Sequence, residues 1–300
     1  MVLYPSYLNL TQQEWNFKIE YLKKNMESCE LCPRKCKVNR LAGEQGYCKT
    51  LDKPFISSAF PHFGEEKELV GINGSGTIFF SNCNLRCVFC QNWEISQNQE
   101  GSTISYEELS NIMLTLQKRG CHNINLVTPT HQIYAIVVAL NIAVKQGLSI
   151  PIVYNCSGYE SLETLKILEG IIDIYMPDFK YGDDDTGSKY SDCYNYFHIT
   201  KEAIKEMYRQ VKNLIIDEHG IMKKGLLVRH LILPNNIANS EKILNFLAKE
   251  VSTNILLNIM DQYYPAFKSY LHEELNRRIT TEEYMKVINL AKSLGFNYLA

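Results

Sequence analysis

Apolar and polar positions alternate in a repeating rhythm from residue 77 onward. TIFF, residues 77–80, reads as a first strand. YEELSNIMLTLQKR then carries a helical stripe, with Ser105 and Glu108 spaced as a capping box and Gly120 as its stop. NINLVT, residues 123–128, predicts a second strand ending at Thr128-Pro129. A helix apolar on most sides is expected over residues 132–145, ending at Gly147. IPIVYN is the third strand, SLETLKILE a short helix stopping at Gly170, and IIDIYM a fourth strand ending at Pro177-Asp178. A polar stretch, YGDDDTGSKYSDCYNY, follows over residues 181–196 and reads as a substrate-gating lid or a solvated loop. Then come the helix KEAIKEMYRQVKNLI, the strand LLVRHLIL, the helix SEKILNFLAKEV and the strand ILLNIM. A last helix starts at a second capping box, Thr280 with Glu283, and stops at Gly295, and FNYLA is expected to close as a short strand.

Strands alternating with helices at this spacing imply right-handed βαβ units and a parallel sheet. Six units predict an α/β chain folded as an incomplete (β/α)6 TIM-like barrel, the alternative being a flat doubly wound sheet. The expected division is an N-terminal module over residues 1–65 and the barrel over residues 66–300. The module opens with a helix capped by Thr11 that carries Trp15, Phe17, Ile19 and Leu22. Residues 51–73 read as a linker or edge segment, with His62, Glu65 and Glu66 as candidate functional residues, the bland reading of His62 being a packed or solvated side chain.

Composition changes this picture little. Of 300 residues, 45% are hydrophobic, enough for a sizeable core, and the net charge of -2 speaks against nucleic acid. No apolar run is long enough to span a bilayer, and the first residues lack the basic and apolar regions of a signal peptide. Ten cysteines would suggest disulfides in a secreted chain, but seven fall in two tight clusters. That favours metal binding in a reducing cytoplasm.

The first cluster directly follows the first strand. In CNLRCVFC, Cys83, Cys87 and Cys90 are close enough to wrap one metal cluster, and a fourth position is left open, as in reactive sites. The second cluster comes earlier: Cys29, Cys32, Cys36 and Cys48 in a turn-rich segment. Four closed ligands suit a structural zinc knuckle or a second iron–sulfur cluster, and spacing does not separate them. Cys121, Cys156 and Cys193 are spare and read as ordinary thiols.

Chemistry in such folds sits at the C-terminal ends of the strands. The groups delivered there are Thr128, Pro129, Thr130 and His131; then Asn155, Cys156, Ser157 and Gly158; then Asp178 and Lys180; then Asp261 and Gln262. Arg229 and His230 lie inside an apolar strand, where charge is costly unless paired, and adjacent residues point to opposite faces. Asp178 and Lys180 suit ribose hydroxyls or an amino acid, the 128–130 backbone suits an ammonium group, and Phe89 suits a planar ring. S-adenosylmethionine (SAM) is part nucleoside and part amino acid.

CNLRCVFC resembles the CxxxCxΦC signature of radical SAM enzymes, and GSGTIFFSNCNLRCVFCQNWEIS is similar to the glycyl-radical-enzyme activases. CELCPRKC, VTPTH, YNCSGYE, MPDFKY, VRHLILP and MDQYYP resemble the subfamily labelled putative pyruvate formate-lyase activating enzyme. The resemblance implies a 4Fe–4S cluster on Cys83, Cys87 and Cys90, with SAM chelating the open iron. Reductive cleavage of SAM would give a 5′-deoxyadenosyl radical that abstracts hydrogen from a substrate. It also implies a flavodoxin- or ferredoxin-type reductant, Phe89 against adenine, SAM contacts from Asp178 and Lys180, and a SAM or substrate contact from Arg229 or His230. The family's Gly-Gly-Glu segment appears here as Thr128-Pro129-Thr130, so an amino-group contact would come from backbone or hydroxyl oxygens. The four-cysteine motif precedes the radical SAM motif, whereas typical activases with extra clusters carry it after. The expected substrate is a protein or peptide, as for an activase. The alternatives are a small molecule or RNA, or a zinc-binding α/β scaffold without catalysis.

Overall fold

The computed structural model describes the backbone of residues 4–299 and side chains as far as residue 296. Ten strands among these residues join one sheet: β1 (Phe55–His62), β2 (Ser75–Phe80), β3 (Ser102–Thr103), β4 (Ile124–Val127), β5 (Ile152–Cys156), β6 (Ile174–Pro177), β7 (Ile215–Ile216), β8 (Met222–Leu231), β9 (Leu256–Met260) and β10 (Asn297–Leu299). The run β2-β4-β5-β6-β8-β9-β10 is parallel throughout. The helices are α1 (Gln12–Glu27), α2 (Lys67–Val70), α3 (Trp93–Gln97), α4 (Tyr106–Lys118), α5 (Ile133–Lys145), α6 (Leu162–Leu168), α7 (Asp184–Ser191), α8 (Tyr196–Val211), α9 (Ser240–Phe246) and α10 (Thr281–Ser293). The alternation expected from the sequence therefore forms an α/β partial barrel, and all six expected strands, with the short last one, are present.

Local chemistry explains most boundaries. Capping boxes start α1 at Thr11 with Glu14, α4 at Ser105 with Glu108, and α10 at Thr280 with Glu283. Two stretches are settled among the alternatives the sequence left. The segment 55–62 is a true strand, antiparallel to β2, with a register shift between Ile56 and Ser58. It extends the sheet edge from within residues 1–65. The stretch 181–196 is not a simple loop: Asp183 caps α7 by accepting from the Thr186 amide, and Tyr190 and Ser191 are buried while Lys189, Asp192 and Tyr194 are exposed. The helix after it begins at Tyr196, five residues before the charged KEAIKEM repeat.

The parallel strands alternate between two environments. Ile78, Leu126, Tyr154, Tyr175 and Val228 join the large core under the helices. Val153, Ile174, Met176, Leu227 and Leu256 form a separate inner cluster with Leu69 of α2 and Met222. Period-two alternation puts Asn155, Asp178, Arg229 and Asn258 on the same inner face, two residues further along their strands. The barrel floor is thus apolar and plugged by Leu69, and the layer above it is polar. No helix of the described residues is long and apolar enough to cross a membrane.

Leu69 is fully buried. Leu69→Ala removes this plug and should lower unfolding free energy by about 3 kcal/mol. Chemical denaturation at neutral pH measures this, and a loss below ~1 kcal/mol would show that the floor does not depend on it.

Candidate functional site

Strand β2 ends at Phe80, and Asn82 turns the chain with a positive φ of 70° toward Cys83. The cysteine loop is held by main-chain bonds from elsewhere. The Arg86 amide donates to Ser191 O (2.9 Å) and the Val88 amide to Tyr190 O (2.8 Å), both from α7. The Lys268 amide donates to Val88 O (2.8 Å), and Phe267 stacks on Trp93 with centroids 5.3 Å apart. The loop following β9 thus braces the cysteine loop from the other side. Cys83 Sγ accepts from the Leu85 amide (3.3 Å), Ser191 Oγ donates to Cys87 Sγ (2.9 Å), and Cys90 Sγ lies 3.2 Å from Ser96 Oγ. Burial pushes the Cys83 thiol up to about 12. Burial also raises Cys87, against the opposing charge of Lys180 nearby.

Behind Cys87 lies a paired ion cluster. Lys180 Nζ donates to Asp178 Oδ2 (2.6 Å), and Arg229 Nε donates to Asp178 Oδ1 (2.9 Å). All three side chains are only 18% exposed. Burial alone would raise the Asp178 carboxyl, but the two cations outweigh it and hold it below its usual range. Arg229 also donates to Asn155 Oδ1 (2.7 Å) and to Glu65 Oε2 (3.4 Å). Asn125 Nδ2 donates to Glu65 Oε1 (3.1 Å), and Asn258 Nδ2 to Glu66 Oε1 (2.8 Å). The FGEE segment before α2 therefore reaches into the polar layer of the barrel.

The sequence-derived residues do not all meet here. Asn155, Asp178, Lys180 and Arg229 do. His230 does not: it is fully buried on the outer face, its ring bonded to Phe179 O (2.7 Å) and Ser240 Oγ (2.8 Å). Both ring nitrogens are used there, whereas Arg229 beside it belongs to the ion cluster. Thr128 has φ 59°, and its amide donates to Asn155 O (2.8 Å). Pro129 and Thr130 are buried, and Thr130 Oγ1 donates to Glu160 Oε1 (2.6 Å), so that hydroxyl is already engaged. Ser157 Oγ is buried and unpartnered among the described residues. Gly158 has φ +77°, and a Cβ there would stand 2.5 Å from Asp178 O. Only glycine lets this rim close against Asp178. Phe89 is 5% exposed, edge-on to Tyr181 (6.3 Å) and Tyr263 (5.9 Å). Asp261 and Gln262 are exposed, and Gln91, next to Cys90, donates to Gln262 O (3.3 Å).

Sequence reasoning missed the binding partners Asn125, Asn258 and Glu160 and did not assign Glu65 and Glu66 to the site. An asparagine at an inward strand position was the available signal for the first two. Glu160 is 2% exposed and is bonded by Thr130 and by Tyr154 OH (2.9 Å). Burial, only partly offset by these hydrogen bonds, raises its carboxyl to about 7.

The four N-terminal thiols do meet. Cys29, Cys32, Cys36 and Cys48 line one enclosed cavity, with Arg40, Asn84 and His131 beside them. Their loop is tied to the first cysteine loop. Arg34 donates to Asn84 O, Arg86 donates to Tyr47 O (2.7 Å), and both guanidinium groups lie over the Tyr47 ring, at 3.3 and 4.3 Å. The spare thiols are all buried, and Cys193 donates to Gly187 O (3.2 Å).

The radical SAM superfamily model matches residues 77–247. The uncharacterized protein MJ0674 of Methanocaldococcus jannaschii is 34% identical over 293 residues, covering 95% of this chain and 80% of that one. A second uncharacterized protein of that organism, MJ0808, is 26% identical over 306 residues, covering 93% and 83%. Among solved structures, Streptococcus suis SuiB bound to precursor peptide SuiA superimposes with TM-score 0.50 at 11% identity, over 72% of this chain and 46% of that one. The FeFe-hydrogenase maturase HydG from Carboxydothermus hydrogenoformans gives 0.50 at 13%, over 72% and 50%. The chain spans about half the length of these two structures, and the likeness concerns the fold. A family match over more than half its length, on a parallel partial barrel whose first strand feeds the CxxxCxxC loop, establishes that this chain belongs to the radical SAM superfamily.

Proposed function

We propose that Cys83, Cys87 and Cys90 hold the 4Fe–4S cluster of a radical SAM enzyme that acts on a protein or peptide, as a glycyl radical activase does. The observation that carries the reading is the Asp178–Lys180–Arg229 cluster lying beside Cys87 at the strand ends. Three thiols from one loop with no fourth thiol between them fit a cluster with one open iron. When bound, the cluster supplies one-electron cleavage of SAM and so a 5′-deoxyadenosyl radical that takes hydrogen from the substrate.

The remaining roles belong to the chain's own side chains. Asp178 and Lys180, at the end of β6, contact SAM, and Arg229 fixes Asp178 from the neighbouring strand. The carbonyls of residues 128–130 face the amino group, because the Thr130 hydroxyl is held by Glu160. Ser157 Oγ, lacking a partner among the described residues, is a further donor to the ligand. Phe89, wedged between Tyr181 and Tyr263, forms an apolar wall for adenine. The peptide reading draws support from SuiB, a protein of similar fold solved with a precursor peptide. A flavodoxin- or ferredoxin-type reductant would supply the electron, in a reducing cytoplasm. Zinc at the N-terminal thiols is the alternative to a second cluster there.

Anaerobic reconstitution should give a brown protein that releases 5′-deoxyadenosine when reduced with dithionite in the presence of SAM. Cys87→Ala should abolish release, and release at an undiminished rate would remove these thiols from the site. Arg229→Met should weaken SAM binding at least ~10-fold, since it leaves the buried Asp178 with one cation fewer. Equilibrium binding of SAM to the reconstituted protein reads this, and unchanged affinity would separate Arg229 from the ligand.

Glu160 gives a pH signature. Its carboxyl ionises at about 7 in the folded chain, against 4.5 for the ordinary group. The stabilisation of the folded state is full below pH 4.5 and is lost as pH rises through about 7. Glu160→Gln should remove this loss, roughly 3 kcal/mol. Thermal melts of both forms from pH 5 to 8 test it, and parallel curves would show that Glu160 does not titrate in this window.

A further inference from the structure

The pocket between the four N-terminal cysteines differs from a closed zinc site in two respects. Cys29, Cys32 and Cys48 are 7%, 8% and 7% exposed, and together with Cys36 they surround a void that admits the centre of a water-sized sphere over about 10 Å³. Four sulfurs closed on zinc, each about 2.3 Å from the metal, leave no such room.

The second difference lies in the wall. Arg40 is 2% exposed, its Nη1 lies 3.9 Å from Cys29 Sγ and its Nη2 donates to Leu51 O, yet its Nε–H has no partner among the described residues. His131 is 1% exposed, its Nε2 is bonded to Ser81 O (2.8 Å), and its Nδ1 likewise has no partner. Buried polar atoms are seldom left unbonded. A bare ion enclosed by four thiolates offers the Arg40 Nε–H nothing beyond the thiolates themselves. A cluster carries inorganic sulfides, which accept hydrogen bonds.

We propose that Cys29, Cys32, Cys36 and Cys48 ligate a second iron–sulfur cluster, with Arg40 and His131 as its polar neighbours. The site is built by both halves of the chain. Its ligands come from the N-terminal segment, while His131 follows β4 and is adjacent to Thr130 of the proposed SAM-binding segment. Arg40 places positive charge beside an anionic centre, and the backbone amide of Tyr47 donates to Cys36 Sγ (3.5 Å). This assignment does not depend on the role given to Cys83, Cys87 and Cys90.

The test uses the full chain with Cys83→Ser, Cys87→Ser and Cys90→Ser combined. It is reconstituted anaerobically with ferrous iron, sulfide and an equal amount of zinc. Roughly four iron and four sulfide per chain are expected to remain, and the unmutated chain should hold roughly eight of each. One zinc and no iron in the triple variant would overturn the proposal. So would an unmutated chain holding only roughly four iron, all lost in the triple variant, and that result would leave the proposed SAM chemistry intact. Adding Cys32→Ser and Cys48→Ser should remove the remaining iron; iron retained there would overturn the ligand set. His131→Gln in the triple background should shift the electron paramagnetic resonance spectrum or midpoint potential of the reduced centre. An unchanged spectrum and potential would remove His131 from the site.

Discussion

One carboxylate shared by two buried cations is the constraint around which this barrel is arranged. Charges taken out of water persist only when paired and hydrogen-bonded. Asp178 satisfies Lys180 from its own strand end and Arg229 from the neighbouring strand. Arg229 has further donors to satisfy, and Asn155 and Glu65 accept them. Glu65 in turn needs Asn125, and the next residue, Glu66, is bonded by Asn258. A charge on one strand thereby fixes side chains on four others and draws the segment before α2 into the barrel. The apolar floor beneath is closed by Leu69.

The cysteine loop itself contains little that would hold its shape. Its geometry is borrowed from α7, from the chain after β9 and from the N-terminal segment. This distribution suits a loop whose own sequence is taken up by three closely spaced cysteines. Ser191 illustrates the economy: its carbonyl accepts from the loop backbone, and its hydroxyl donates to Cys87 and lies 2.6 Å from Tyr181 OH.

The parallel strands were legible because short β-branched runs between turn residues have few other solutions. Strand β1 was harder to read, since FISSAFPH mixes serine, proline and a register shift at a sheet edge. Helix α7 was hidden because DDDTGSKYS is poor in helix formers, and its stability comes from the Asp183 cap and from packing against the cysteine loop. Arg229 stood out by the cost of its charge. His230, beside it, looked equivalent until the structure supplied Ser240 and Phe179 as its partners on the other face. The roles of Glu65 and Glu66 depend on residues up to 192 positions away, a distance no local pattern encodes.

The seating of the N-terminal segment has a consequence for the order of synthesis. The amide of Ser6 is bonded to Asp173, Lys18 to the carbonyls of Ile167 and Glu169, and Thr164 to Leu31. None of these partners exists until more than a hundred further residues have left the ribosome, an interval on the order of 10 s. The thiols of Cys29, Cys32, Cys36 and Cys48 emerge before any others and are enclosed only after that wait. During this interval they are open to solvent, and so to oxidants, while the rest of the barrel is still being translated.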